Sequence, residues 1–232
     1  MKPFLTAEWV NLILVSWNVN PDVLIPFLPK GTELDLYRGD AFVTMIAFEF
    51  RHTRIRGFAV PFHVDFPEIN LRFYAKAGDA RGVVFIREFV PLPMVAWAAR
   101  MRYNEPYACR PMRCRVTHSA EMMCVEHTIR CGGMEHTIRA EGGSATFLPE
   151  PTSLEHFLKE HGRGYGTSRA GTTLMYGVAH RLWPVHPVTR FECDVDFSRL
   201  YGDRWGLLGK QKPHNVTLAQ GSAVQVFSPA AL

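Results

Sequence analysis

The sequence DFPEINLRFYAKAGDARGVVFIR, residues 65–87, predicts two antiparallel strands joined by a tight turn. Two runs rich in aromatic and β-branched residues flank the turn-forming residues 77–80, which is the pattern of a β-hairpin. Side chains along a strand point alternately to the two faces of the sheet. The first strand therefore has one apolar face and one face that carries Glu68, Asn70 and Arg72.

The turn also predicts the register of this hairpin. A loop closed at Gly78-Asp79, or one residue wider on each side, sets Asn70 opposite Arg87. Arg87 then joins Glu68 and Arg72 on one face. Two guanidinium groups beside a carboxylate can hold a small organic anion, because the planar fork of Arg matches carboxylate geometry. The alternative is an ordinary solvated face, since antiparallel sheets commonly carry polar residues on one side.

The whole chain of 232 residues has the composition of a globular protein. Hydrophobic residues make up 47% and charged residues 21% of it, far from the profile of a disordered chain. Its length is typical of one generous domain, so residues 1–232 are predicted to form a single domain with a substantial core. The net charge of +4 comes without a long basic run, so no nucleic-acid partner is expected.

The cysteines and the N-terminus indicate a reduced, cytoplasmic setting. The five cysteines are odd in number and include no Cys-x-x-Cys pair, so neither a disulfide framework nor a zinc site is predicted. Near the N-terminus only residues 11–15 form an apolar core, which is too short for a signal peptide or a membrane span. We therefore expect a cytoplasmic protein without a membrane partner, and the sequence leaves open whether it forms a homo-oligomer.

Strands dominate the rest of the chain. The nearly continuous apolar run of residues 9–19 predicts a strand covered on both faces. Residues 33–37 and 41–50 predict a second hairpin. Glu126-His127-Thr128-Ile129-Arg130 recurs as Glu135-His136-Thr137-Ile138-Arg139, which predicts a third hairpin, closed by two glycines, with two cross-strand ion pairs.

Two modest helices accompany these strands. Met94, Trp97, Ala98 and Met101 stand at helical spacing, so a helix over 94–103 should pack on the sheet through them. A second helix over 153–161 is predicted from a capping box of Thr152 and Glu155. Together the elements predict an α+β fold, a large and mostly antiparallel sheet rolled into a β-barrel or cone with a few short helices.

Five segments together resemble the YqjF-like family of uncharacterised bacterial proteins, and they are residues 4–9, 68–74, 82–88, 103–107 and 154–158. That family looks like a branch of the acetoacetate decarboxylase-like superfamily. The resemblance implies a β-barrel or cone with an internal cavity, which agrees with the strand pattern. A shared fold does not carry its chemistry with it, so each functional residue has to be matched separately.

The superfamily's reactive lysine has no evident counterpart in this chain. Acetoacetate decarboxylase forms a Schiff base through a lysine with a lowered pKa, and that lysine follows a Gly-x-Pro pattern. The matching segment here is Asn104-Glu105-Pro106-Tyr107, so Tyr107 stands where the amine would be. None of the lysines lies in an evidently apolar strand. Schiff-base decarboxylation is therefore not expected, and by the same resemblance Glu68 matches an acidic residue of the cavity.

These observations predict a cavity that binds a small organic acid or keto compound, with proton-transfer or lyase-type chemistry. Arg72 and Arg87 would bind the carboxylate, and Asn70 and Tyr107 would donate hydrogen bonds. Glu68, between two arginines, should have a depressed pKa and act as a base or an electrostatic partner. The alternatives are a non-enzymatic ligand-binding protein, in which Glu68 only neutralises the arginines, or an RNA- or partner-binding surface. No metal and no cofactor are expected.

Overall fold

The computed structural model describes residues 2–232, which are dominated by strands. The strands are β1 (Leu5–Val19), β2 (Glu33–Leu34), β3 (Ala41–Ile55), β4 (Phe66–Ala77), β5 (Ala80–Val90), β6 (Tyr107–Cys109), β7 (Met112–His118), β8 (Met122–Cys131), β9 (Met134–Gly143), β10 (Arg163–Thr167), β11 (Thr173–His180), β12 (Val185–His186), β13 (Val188–Asp194), β14 (Asn215–Val226) and β15 (Ala230–Ala231). The α-helices are α1 (Pro93–Tyr103), α2 (Leu154–Lys159) and α3 (Phe197–Tyr201), and the 3-10 helices are Pro21–Val23, Ile25–Phe27 and Asp203–Lys210.

Seven of the strands close into a ring. Their order is β14-β1-β3-β4-β5-β10-β11, and β11 returns to pair with β14. Neighbours in the ring are antiparallel except β5 and β10, which run parallel. The predicted α+β fold with a rolled, mostly antiparallel sheet is thereby confirmed.

A second sheet, in the order β13-β9-β8-β7, covers one side of the ring. One face of β1 contributes Ile13 and Val15 to the core shared with Ile129 of β8. Its other face contributes Leu12 and Leu14 to a core inside the ring. The apolar run of β1 is thus explained, because both faces of the strand are covered.

The repeated segment forms the predicted hairpin of β8 and β9. Gly132 and Gly133 both have positive φ, as a two-residue turn of this kind requires. Arg130 lies opposite Glu135, at 3.2 Å, and the Glu126–Arg139 pair is 3.8 Å apart. The repeat therefore sets the register between β8 and β9 in the second sheet.

Three of the predicted local structures differ from those found. The segment at residues 33–37 does not pair with β3, because β2 pairs with β4 instead. The cap of α2 is Ser153, whose hydroxyl accepts the His156 N–H at 3.2 Å, rather than Thr152.

The third difference concerns α1. Its predicted packing stripe is exposed, with Met94, Trp97 and Met101 respectively 49%, 62% and 53% exposed, while Ala96 is buried. The helix therefore covers the ring with a different face from the one that the apolar spacing suggested. No helix within residues 2–232 has the length and apolar character needed to cross a membrane.

Candidate functional site

The ring encloses a cavity of about 350 Å³ that is partly open to solvent. This volume lies in the range of roughly 300–1,000 Å³ found for pockets that bind small molecules. Most of the lining is apolar. The polar residues at its inner end are Glu68, Asn70, Arg72, Glu88, Glu105, Tyr107, Lys159 and Tyr176.

Strand β4 delivers the predicted polar face into this cavity. Glu68, Asn70 and Arg72 all line it and are only 3%, 3% and 8% exposed. The Asn70 amide donates to Glu68 Oε1 at 3.0 Å, and the Tyr107 hydroxyl donates to Glu68 Oε2 at 2.9 Å. Both carboxyl oxygens of Glu68 are thus held in place by side chains that were predicted to share its site.

Arg87 does not belong to this site, so the predicted register was wrong. The pairing of β4 with β5 shifts by one residue between Leu71 and Arg72, which leaves Ile86 as an extra residue. This β-bulge turns the next side chains to the opposite faces. Glu88, not Arg87, therefore faces Asn70. Arg87 is exposed and donates to the Leu200 carbonyl at 3.0 Å, away from the cavity.

Three buried carboxyl groups meet at the inner end of the cavity, and we call Glu68, Glu88 and Glu105 the carboxyl cluster. Glu88 comes from β5, next to β4. Glu105 follows Asn104, which ends α1 in a left-handed conformation with φ of 53° and brings the chain back to the ring. Strand β6 then pairs in parallel with β5, setting Tyr107 beside Glu88.

Burial governs the charge of Glu68. Burial raises the pKa of Glu68 to about 7. The hydrogen bonds from Asn70 and Tyr107 and the positive charge of Arg72 lower this pKa, but their combined effect is smaller. The expected depressed pKa was wrong, because Arg87 is absent from the site and desolvation outweighs the remaining favourable contacts. Near neutral pH, Glu68 is therefore able both to take up and to release a proton.

The other two members of the cluster favour the protonated form. Burial raises the pKa of Glu105 to about 8, helped by the charge of Glu68 and opposed by the Tyr176 hydroxyl. Burial, followed by the charges of Glu68 and Glu105, raises the pKa of Glu88 well above its ordinary value. One oxygen of Glu88 and one of Glu105 have no hydrogen-bond partner among residues 2–232. Near pH 7 the cluster thus combines a carboxyl group poised to ionise with two neutral acids.

Tyr176 reaches the cluster from β11 because its cross-strand partner is a glycine. Tyr176 lies opposite Gly164 of β10. A Cβ at Gly164 would overlap the tyrosine ring, so a larger residue would displace that ring. The absence of a side chain at Gly164 is therefore what allows Tyr176 to lie over the strand.

A cationic wall lies beside the cluster. Arg72 donates to the Leu158 carbonyl at 3.1 Å, and its Nε has no hydrogen-bond partner among residues 2–232. A buried guanidinium stays charged and keeps donors for an anion. Arg72 is thus suited to hold a carboxylate.

Lys159 also lines the cavity, with only 1% of its surface exposed. It lies at the end of α2 and forms an ion pair with Glu160. The same glutamate oxygen accepts the Trp183 backbone N–H at 3.2 Å. Lys159 is therefore a buried lysine on a helix, which is why the absence of lysines from apolar strands did not reveal it. Its amine is engaged in the ion pair with Glu160.

Three histidines line the cavity without forming a metal centre. His180 stacks on Trp183 with ring centroids 4.4 Å apart, and His63 lies near the opening. Burial lowers the pKa of His161 to about 4, so this ring is neutral near pH 7. Within residues 2–232 no group of three or more His, Cys, Asp or Glu side chains is arranged to hold a metal ion.

Sequence reasoning missed Glu88, Glu105, Tyr176 and Lys159. Glu105 stands two residues before Tyr107, and that proximity was a usable signal. Glu88 required knowledge of the bulge, and nothing in its local sequence, such as a glycine, marks one. Tyr176 and Lys159 arrive from distant segments, so no local pattern indicates them.

Several solved structures share this fold at low sequence identity. An acetoacetate decarboxylase-like enzyme from Sphingomonas wittichii RW1 superposes with a TM-score of 0.68 at 12% identity, covering 100% of this chain and 94% of that one. The enduracididine biosynthesis enzyme MppR complexed with pyruvate gives 0.67 at 12% identity, over 100% and 91% of the two chains. Acetoacetate decarboxylase from Legionella pneumophila gives 0.64 at 11% identity, over 97% and 86%. These likenesses show the acetoacetate decarboxylase-like fold.

Comparison of sequences shows the family. The uncharacterized protein YqjF of Bacillus subtilis (strain 168) is 28% identical over 177 residues, which cover 75% of this chain and 72% of that protein. The DUF2071 model, described as an uncharacterized conserved protein, matches residues 6–223. Because this match covers nearly the whole chain, the protein belongs to the DUF2071 family.

Proposed function

We propose that the protein is an enzyme that transfers a proton at the carbon next to the carbonyl group of a keto acid. The observation that carries this proposal is the carboxyl cluster, which places a glutamate with a pKa of about 7 beside two neutral acids in a largely apolar cavity. Perturbed carboxyl groups in a cleft are typical of acid–base sites.

The roles within the cluster follow from their protonation. The Glu68 carboxylate accepts the proton from carbon, and the electron pair of the broken C–H bond moves onto the carbonyl oxygen. A protonated Glu105 or Glu88 then donates a hydrogen bond to that oxygen, where negative charge develops. A carboxylic acid kept neutral by an apolar site is a known donor of this kind.

Arg72 supplies the binding contact for the substrate's carboxylate, with Lys159 as a second positive charge. MppR, a protein of the same fold, is described in complex with pyruvate, and this supports a 2-oxo acid as the ligand. Lys159 is assigned to electrostatics and not to imine formation, because its ammonium is paired with Glu160.

Deuterium exchange tests the proposed activity. The protein in D₂O should speed the loss of the C3 proton signal of 2-oxobutanoate in ¹H NMR spectra, relative to buffer alone. Exchange at the buffer rate, under conditions in which calorimetry shows the acid bound, would contradict the proposed catalysis.

Arg72→Met tests the binding contact. Charge-assisted hydrogen bonds contribute about 1.5–3 kcal/mol, so the affinity for 2-oxobutanoate should fall roughly 10- to 150-fold in isothermal titration calorimetry. Arg87→Met is the matched control, because Arg87 lies outside the cavity, and it should leave affinity unchanged. An equal loss in both variants would remove Arg72 from the proposed site.

A further inference from the structure

The outer part of the cavity differs in chemistry from its inner end. Its walls come from the N-terminal segment, the end of β3 with the loop that follows, and α1. The apolar side chains at these positions are Leu5, Ile55, Val60, Val95, Ala98 and Ala99. None of these side chains donates or accepts a hydrogen bond, so most of this channel offers a ligand apolar contact, beside the polar side chains that the same elements contribute, namely Thr53, His63, Arg102 and Tyr103.

Helix α1 covers the channel with small side chains. Ala98 and Ala99 line the cavity and are half-buried, and Ala96 is buried in the core inside the ring. Methyl groups on this face leave space beneath the helix. The channel is therefore formed by the sequence of α1 itself.

Apolar surface continues from the channel to the outside. Met94 lines the cavity and is 49% exposed, which places it at the rim. Phe58 is 77% exposed and forms an isolated β-bridge with the lining residue Ile55. Phe62 is 92% exposed and precedes the lining residue His63. Large exposed apolar groups gathered at one place commonly mark a binding site. Each of these three side chains either lines the cavity or belongs to a neighbour of a lining residue, so exposed apolar surface lies beside the cavity wall.

We propose that the substrate is an amphiphilic keto acid, with its polar end at the carboxyl cluster and an unbranched apolar chain in the channel beneath α1. This inference rests on the proposed function, because it names the substrate class of the same cavity. A keto acid of three or four carbons would leave the channel unused, whereas a longer chain removes apolar surface from water on both partners.

A series of chain lengths tests the inference on the unmodified protein. The probes are 2-oxobutanoate, 2-oxohexanoate and 2-oxooctanoate, and the measurement is isothermal titration calorimetry in one buffer. Each buried methylene should tighten binding about fourfold, so each step of two methylenes should tighten it roughly 15-fold. Equal affinity for the three acids would overturn the inference.

Two substitutions in α1 locate the chain. Ala98→Asp puts a charge into the channel and should abolish the gain with chain length, measured as the ratio of the affinities for 2-oxooctanoate and 2-oxobutanoate. Met101→Asp makes a comparable change on the outer side of the helix, outside the cavity lining, and should preserve the gain. A gain that survives Ala98→Asp, or one that Met101→Asp removes equally, would overturn the placement, and thermal unfolding checks that both variants are folded.

The outcomes separate this inference from the proposed function. Binding and exchange of 2-oxobutanoate without any gain for the longer acids would overturn the channel and leave the catalysis standing. A gain with chain length but no deuterium exchange would support the channel and contradict the catalysis. Failure of all three acids to bind would overturn both.

Discussion

Glu68→Gln should lower the rate of deuterium exchange into 2-oxobutanoate by a factor of about 10²–10⁴, the usual contribution of a general base. The amide keeps the size of the side chain and one acceptor for the Asn70 and Tyr107 donors, but it cannot take a proton from carbon. The rate is measured from the C3 signal in ¹H NMR spectra at saturating acid. Binding of the acid should change far less than the rate.

The same substitution outside the cavity provides the control. Glu126→Gln alters an ion-paired glutamate of the second sheet and should leave exchange unchanged. The unmodified protein should show exchange that rises through about pH 7, as Glu68 ionises, and falls above about pH 8, as Glu105 loses its proton. A Glu68→Gln rate within a few-fold of the original would remove Glu68 from the mechanism.

Glu105→Gln should stabilise the protein at alkaline pH. The folded protein keeps the Glu105 proton up to about pH 8, whereas the ordinary pKa of 4.5 applies in the unfolded chain. The unfolded state then binds fewer protons than the folded state between these values, so the free energy of unfolding falls as pH rises through this window. Glutamine has no proton to lose, and the variant should exceed the original protein by roughly 3–5 kcal/mol at pH 9.

Urea denaturation at pH 5 and pH 9 measures this difference. Near pH 5 the two proteins should differ little, since most of the loss occurs above that pH. Glu126→Gln should change the free energy of unfolding by less than about 1 kcal/mol at both values, because solvent screens its partly exposed ion pair with Arg139. If the free energy of unfolding fell equally from pH 5 to pH 9 in Glu105→Gln and in the original protein, Glu105 would already be ionised in the folded protein.

Alternation along β4 was sufficient to predict that Glu68, Asn70 and Arg72 share a face. The period of two is a property of every strand and needs no partner. The identity of the opposing residue depends on the register, and there the prediction failed, because the extra residue Ile86 has no local signature. The sequence therefore predicted one wall of the cavity and misassigned part of the next.

Long-range packing decided the remaining features. The apolar spacing of α1 suggested a buried stripe, but the ring receives Ala96 and its small neighbours, and Trp97 stays exposed. Lys159 follows two apolar residues in a short helix, and only the tertiary arrangement shows that its amine is buried. The raised pKa values of the three glutamates likewise come first from burial, which only the tertiary arrangement shows, so charge pattern alone suggested the opposite direction for Glu68.

The extra residue in β5 has an evolutionary consequence. Phe85 and Glu88 both line the cavity although they stand three positions apart, and Ile86 is the residue that the pairing with β4 skips. Loss of the Ile86 codon would leave Phe85 opposite Arg72 and Glu88 opposite Asn70, in an unbroken ladder. One-codon gaps in the genes of relatives should accordingly gather at this point of the strand, with the acidic side chain after it retained.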